Sequence, residues 1–337
     1  QGTLSRLRAM RGSSYVVPVQ ALPHVVAATG HVPVNAYLRF LRQCGLSDDE
    51  REALIDRIDA ALAGRAAATV AEIRELLGGD VPGHRRETLQ WAVALMAAQA
   101  RLARVRPRGS WRSDNYTYAR WVDWFGAPLA QLEPAHGRLE LARWYLRAFG
   151  PATSADLRWW AGWNGRDTAA ALAELRSEVA EVLITAQDGT AAQAYLPGDQ
   201  ESALQATDRG AAIGVRLLPV WDAYLMGYVD RARLVQPEHR PWVYDKAGNA
   251  TSVVLVDGLV AGVWEHEGDG PGAPFTVRVA PLQVAVSRWW DAVERAAEGL
   301  AAAVEASGLR FERASRPGPL AQGARNAFLA PIRLAGG

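Results

Sequence analysis

Apolar residues at Leu54, Ile55, Ile58 and Leu62 fall on one stripe of a 3.6-residue helix, and this spacing predicts a helix from Asp48 to Gly64. Thr69 followed three residues on by Glu72 is a capping box, in which hydroxyl and carboxylate each accept from the other residue's backbone N–H. It opens a short helix to Leu77, broken by Gly78-Gly79. Arg85 to Ala100 is the third helix of this segment, and Leu102 to Tyr118 a hairpin after it. The same plan follows downstream. Leu139, Leu141, Leu146 and Phe149 mark a helix from Arg138 to Phe149, which Gly150 and Pro151 end. Thr153 with Asp156 is a second capping box, for a helix through Trp160. Asp167 to Glu178 turns Ala171, Leu172 and Leu175 inward. Val182 to Ala186 and Ala194 to Leu196 then flank an Asp188-Gly189 turn. The two segments share an architecture and no repeated sequence.

Elsewhere the pattern is that of strands. Arg8 to Pro18 reads as one short strand with Tyr15, Val16 and Val17 in the core. Leu217, Leu218 and Val220 start another, and Asp222 to Asp230 is a tightly turned stretch. Val253 to Val256 and Leu259 to Val263 make a hairpin, because Asp257-Gly258 supplies the positive φ angles of a two-residue turn. A strand from Phe275 to Val279 and a helix from Val286 to Ser307 follow. The fold class expected is α+β, mainly α, with tandem helix–turn–helix-plus-hairpin units, the winged-helix arrangement. The divisions are a partial N-terminal unit at 1–47, winged helices at 48–135 and 136–200, a β-rich unit with a helix at 201–312, and a flexible Gly-, Pro- and Arg-rich tail at 313–337.

Composition narrows the chemistry. The 337 residues suffice for two or three small cores, and 49% apolar with 22% charged residues is ordinary for a globular chain. No apolar run reaches the ~18 residues that span a bilayer. Cys44 is the one cysteine, which rules out an intrachain disulfide, a Cys-rich zinc site and an iron–sulfur cluster, and fits a reducing cytoplasm. His24, His31, His84, His136, His239 and His266 show no HxH or HxxxH spacing, so no metal is expected. There is no glycine-rich phosphate loop and no GxSxG elbow, and no cofactor is expected. Net charge is +1, so a polyanion would need a local basic patch. Lys246 is the sole lysine among many arginines, a bias that GC-rich codons explain better than phosphate binding does.

One such patch is visible. Arg104, Arg106 and Arg108 alternate along a strand, which would put all three on one face, and Arg112 and Arg120 follow. The alternation fits phosphate contact or a charge-protected strand edge equally; the winged-helix context favours phosphate. Trp111, Asn115, Tyr116 and Tyr118 lie among these arginines, as stacking partners for a base or as packing for the hairpin. Asp222, Tyr224, Tyr228, Asp230 and Arg231 have the composition of an acid–base site or of a structural network in which Asp230 pairs with Arg231 or Arg233.

The stretch RLLPVWDAYLMGYVDRARLVQPEHRPWVYDKAGNATSVVLVDGLVAGVWE, Arg216 to Glu265, with LLPxxDxYLxGYxDR followed by VVLVDGxVAGxW, resembles the AlkZ-like family of winged-helix DNA-binding proteins. MRGSSYVVP is similar to its MRGTLHxxP strand, GSWRSDNYTYARWVDWF to its wing and the helix after it, and HGRLELARWYLRAFGPATSADLRWWAG to its middle helix–turn–helix. Several members are DNA glycosylases that remove bulky or crosslinking alkyl adducts. The resemblance implies a concave channel for damaged duplex DNA, with the strand carrying Arg8 and Arg11 near it. It implies a monomeric, monofunctional DNA glycosylase for alkylated or bulky-adduct purines or interstrand crosslinks, in repair or genotoxin self-resistance, on nucleoid DNA in the cytoplasm. In the family a Gln-x-Gln or Gln-x-Asp motif ahead of the MRG strand supplies the catalytic residues. Nine residues precede Met10 here, so the motif is expected upstream of Gln1 and no position of this sequence takes the catalytic role. The alternative is a non-catalytic winged-helix DNA-binding protein, a regulator or a sequestering agent for adducts.

Overall fold

The computed structural model describes residues 3–109, 113–185, 189–206, 214–268, 271–284, 287–315 and 320. The protein is α+β, and its residues group into two compact units: 1–148 with 157–178, and 149–156 with 179–337. The division at 178/179 falls inside the segment read above as 136–200.

In the first unit, β1 (Leu4–Arg8) and β2 (Ser14–Pro18) form an antiparallel hairpin around the single turn Met10–Gly12. This corrects the expectation of one strand from Arg8 to Pro18. Alternation along β2 turns Tyr15 and Val17 inward and leaves Val16 62% exposed, so Val16 is no core residue. Two helices that the sequence pattern did not suggest follow, α1 (Leu22–Thr29) and α2 (His31–Gln43). The run Leu22–Thr29 is apolar without a polar face, a pattern that fits strand and helix equally. Next come α3 (Asp48–Leu62), β3 (Ala68–Thr69), α4 (Val70–Leu76), α5 (Thr88–Ala98), β4 (Leu102–Pro107), β5 (Tyr116–Arg120), α6 (Trp121–Phe125), α7 (Pro134–Phe149), α8 (Ser154–Ala161), whose residues to Asp156 group with the second unit, and α9 (Gly165–Glu174). The sheet order is β3-β5-β4. Leu54, Ile55, Ile58 and Leu62 of α3 close on Tyr37 and Leu41 of α2 and on Leu89, Val93 and Met96 of α5.

Two capping boxes in this unit's early helices carry a pH signature: the predicted one at Thr69–Glu72 and one at Ser47–Glu50 that the sequence pattern had not singled out. Glu50 accepts from Ser47 N, and Glu72 from Thr69 N at 2.6 Å, while the Ser47 and Thr69 hydroxyls accept from Glu50 N and Glu72 N. Donation from these backbone N–H groups first, and from the hydroxyls next, holds both carboxyls below their ordinary value of 4.5. A depressed folded pKa means a stabilising contribution that is complete above the unfolded value and lost as pH falls through the folded one. NMR titration should therefore place the Glu50 and Glu72 midpoints below 4.5, with amide protection at the starts of α3 and α4 falling on acidification. Midpoints at or above 4.5 would contradict it.

In the second unit, β6 (Val179–Thr185) and β7 (Ala191–Pro197) pair antiparallel, and Ala152 bridges Tyr195. The Asp188 part of the predicted turn lies outside the described residues. After α10 (Glu201–Ala206) come β8 (Val215–Leu218), α11 (Arg240–Val243), β9 (Val253–Val256), β10 (Leu259–Glu267), β11 (Pro274–Pro281), α12 (Ser287–Ala303) and β12 (Gly308–Arg313). They build a sheet in the order β12-β11-β10-β9-β8, with Val220 outside β8. Asp257 and Gly258 have φ +52° and +84°, as the two-residue hairpin turn required. Trp289, Val293, Ala297 and Ala301 fall four residues apart on α12 and pack on Trp264, Phe275, Val277 and Val279 of the sheet. Arg313 ends β12, which pairs parallel with β11, so the expected loose tail cannot start there. Residues 316–319 and 321–337 lie outside the described residues.

Candidate nucleic-acid interface

The expected arginine face is built differently from the pattern that suggested it. Arg104 pairs with Tyr118 and Pro107 with Tyr116, so β4 spends three residues where β5 spends two. This bulge ends the period-two alternation after Arg104. Arg106 is exposed, its backbone held by the Thr117 hydroxyl, which donates to Arg106 O at 3.0 Å. Arg108 lies past the strand end and Nη2 donates to Glu72 Oε1 at 2.7 Å. Asn115 is exposed, and its carbonyl accepts from Arg108 N. Arg120 sits 3.3 Å from Asp59 and 3.9 Å from Asp123. Trp111 and Arg112 lie outside the described residues. The ladder is therefore no row of equivalent charges.

A different cluster forms around Arg104. The hairpin lays β1 beside β4 and α5, which brings in Arg6, a residue the sequence pattern did not single out, together with Arg8. Arg6 Nη1 donates to the Tyr116 hydroxyl, and the Arg6 guanidinium lies 4.9 Å from the Tyr116 ring centroid. The Arg104 guanidinium lies 4.5 Å from the same ring, and its Nε and Nη2 donate to the Tyr118 hydroxyl at 3.3 and 3.2 Å. Tyr116 and Tyr118 are buried, so they back the arginines rather than offer a free face to a base. Arg8 Nη1 donates to Gly12 O at 2.8 Å. Burial pushes the Tyr37 phenol of α2 upward, opposed by the positive charges of Arg8 and Arg104. Arg6, Leu7, Arg8, Tyr37, Arg104 and Tyr118 line an open recess together with Ala94, Ala97 and Ala98 of α5. Among the described residues no carboxylate pairs with Arg6, Arg8 or Arg104.

Arg11 has the left-handed backbone, φ +54°, and its guanidinium stacks 3.7 Å from the Trp159 ring. Desolvation lowers its pKa, with Tyr15 acting in the other direction. It is half-buried and belongs to the packing of the MRG turn as much as to a surface.

The Asp222 to Arg231 stretch is held by structural bonds. Asp222 accepts from Tyr224 N at 2.9 Å, and burial raises its carboxyl. Asp230 caps Ala232 N. Arg231 is buried, donates to Leu225 O and lies 4.5 Å from the Tyr244 ring. Arg233 covers Tyr228 at 4.1 Å, and its nearby carboxylate is Asp156 at 3.7 Å, not Asp230. Desolvation first of all pushes the Tyr228 phenol up to about 12; its hydroxyl donates to Phe149 O. Among the described residues no three His, Cys, Asp or Glu side chains converge as metal ligands, and no helix is long and apolar enough to cross a membrane.

Guanidiniums that cluster with no carboxylate beside them, among the described residues of this α+β protein, make the local basic patch that a polyanion-binding protein needs. The chain is a member of the AlkZ-like family of DNA glycosylases, whose family model matches residues 1–305. Glycosylase activity is the enzymatic class that this membership gives it. A curated relative, the interstrand DNA cross-link repair glycosylase of Streptomyces sahachiroi, is 28% identical over 276 residues, covering 78% of this chain and 70% of the relative. The solved structure of the Streptomyces sahachiroi DNA glycosylase AlkZ has the same fold, with a TM-score of 0.71 at 24% identity, covering 92% of this chain and 82% of that one.

Proposed function

We propose that this protein is a monofunctional DNA glycosylase that releases N3- or N7-alkylated or bulky-adduct purines from duplex DNA, or unhooks interstrand crosslinks. The observation that carries the reading is the carboxylate-free group Arg6, Arg8 and Arg104 in the first unit, in a member of a glycosylase family. We read 48–135 as one winged helix and 136–200 as a second, from their shared order of helices followed by a hairpin. Alkylation at N3 or N7 leaves the base positively charged and a good leaving group. Water attacks C1′, the N-glycosidic bond breaks, and the base departs with its electron pair, leaving an abasic site. Water is the nucleophile and releases a proton as the C1′–O bond forms; the enzyme's task is to place the strand and stabilise an oxocarbenium-like sugar, which needs no side-chain nucleophile and no metal.

The test uses a duplex carrying one N7-alkylguanine, incubated with the protein in EDTA and then treated with alkali. An alkali-dependent strand break at the adduct is expected. No borohydride-trapped adduct should form on Lys246, which is exposed in the Asp245–Asn249 turn of the second unit, because Schiff-base chemistry needs an amine beside the sugar. Binding without any break would leave the non-catalytic DNA-binding reading in its place.

A further inference from the structure

We propose that the recess formed by β1, β4, β5, α2 and α5 is a seat for a single phosphodiester of a DNA strand, gripped jointly by Arg6, Arg8 and Arg104. The inference rests on the glycosylase reading for its choice of polyanion, and adds the place and the stoichiometry of contact.

Three guanidiniums around one opening repel each other unless an anion lies between them, and among the described residues none is neutralised by a carboxylate. The fold nevertheless holds at least two of them in place. The Tyr116 ring takes Arg6 at 4.9 Å and Arg104 at 4.5 Å, and the Tyr118 hydroxyl takes two donors of Arg104. Cation–π contact and a neutral hydroxyl restrain an arginine without consuming its charge. Guanidinium forks fixed in advance lose little entropy on meeting a phosphate, and their planar donor pairs match its oxygens. The recess is open to solvent, and its lining extends beyond the three arginines. Its floor supplies the remainder of the recognition: Ala94, Ala97 and Ala98 are one helical turn of methyl groups, flat and apolar, against which a deoxyribose can lie. A base needs no partner here, so the seat is indifferent to sequence, as contacts to the backbone are.

A shared seat has a signature that three independent contacts lack. Each phosphate neutralised contributes about −0.9 to the slope of log K against log salt on duplex DNA. Fluorescence anisotropy on an undamaged duplex, titrated with salt, should show Arg6→Ala and Arg104→Ala each flattening the slope by up to ~0.9, and the double variant by no more than ~0.9. Ala97→Leu removes no charge but fills the floor, and should flatten the slope by the same amount. Arg51→Ala, whose guanidinium is held by Asp48 and Glu52, serves as the control and should leave it unchanged. Melting curves confirm that each variant is folded. An unchanged slope in folded Arg6→Ala, Arg104→Ala and Ala97→Leu overturns the seat, and an additive loss of ~1.8 in the double variant overturns the sharing. Inorganic phosphate competing as well as duplex, or a polyglutamate competing better, overturns the choice of a DNA strand. Because the duplex carries no lesion, loss of base release with these slopes intact would sink the glycosylase reading and leave the seat standing.

Discussion

Asp156→Ala is expected to lower stability by about 3 kcal/mol, the scale of removing a helix cap together with the acceptor of a buried backbone N–H and the partner of a partly buried cation. Asp156 is 2% exposed, and each of its oxygens is occupied. Oδ2 accepts from Thr153 N at 3.0 Å and from the Thr153 hydroxyl at 2.8 Å; Oδ1 accepts from Val229 N at 2.9 Å. Arg233, 3.7 Å away, also donates to Pro151 O. Alanine leaves the start of α8 uncapped, the Val229 N–H without its acceptor and the Arg233 guanidinium without a counter-charge. Asp156→Asn keeps one acceptor and should cost less. Urea denaturation of the three proteins measures both; a loss under about 1 kcal/mol for Asp156→Ala would show that water replaces the carboxylate easily.

Gly137→Ala should also destabilise, by about 2 kcal/mol, the reverse of what an alanine usually does inside a helix. A Cβ on Gly137 of α7 would stand 2.6 Å from His24 O, 2.8 Å from the Ala27 Cβ and 2.8 Å from Ala28 N. Two of those neighbours are backbone of α1, which cannot step aside as a side-chain end can. Gly299 of α12 is the matched comparison, since a Cβ there would meet nothing within 4 Å. Gly299→Ala should gain about 0.5–1 kcal/mol from helix propensity alone. Thermal denaturation of both variants gives the signs; a stabilised Gly137→Ala would mean that α1 and α7 separate at little cost.

What the sequence announced was chemistry confined to a few neighbouring residues. The Thr69–Glu72 and Thr153–Asp156 caps and the Asp257-Gly258 turn each depend on residues within four positions, and each has the expected bonds or dihedrals. The inward faces of α3 and α9 were visible for the same reason, since a stripe repeats within a helix. What escaped notice depends on pairing across long separations. Nothing local marks Leu4–Arg8 as a strand, yet its position beside β4 decides that Arg6 meets Tyr116, 110 residues away. The bulge that takes Arg106 and Arg108 off the Arg104 face is a matter of register with β5, which a count along one strand cannot reveal. β12 escaped for a similar reason: as a parallel partner reached through α12, it has no turn signal beside it. Asp156 was legible as a cap, but its second bond, to Val229, was not.

The chain passes between its two units more than once. Residues 149–156 group with the unit that resumes at 179, while 157–178 return to the first. Neither unit is thus one continuous piece of gene. A fragment begun at 179 would lack Ala152, which bridges Tyr195, Pro151, whose carbonyl receives Arg233, and Asp156, which receives Val229 N–H. Recombination could not trade either half as a cassette at that joint, and the two halves are therefore bound to be inherited together.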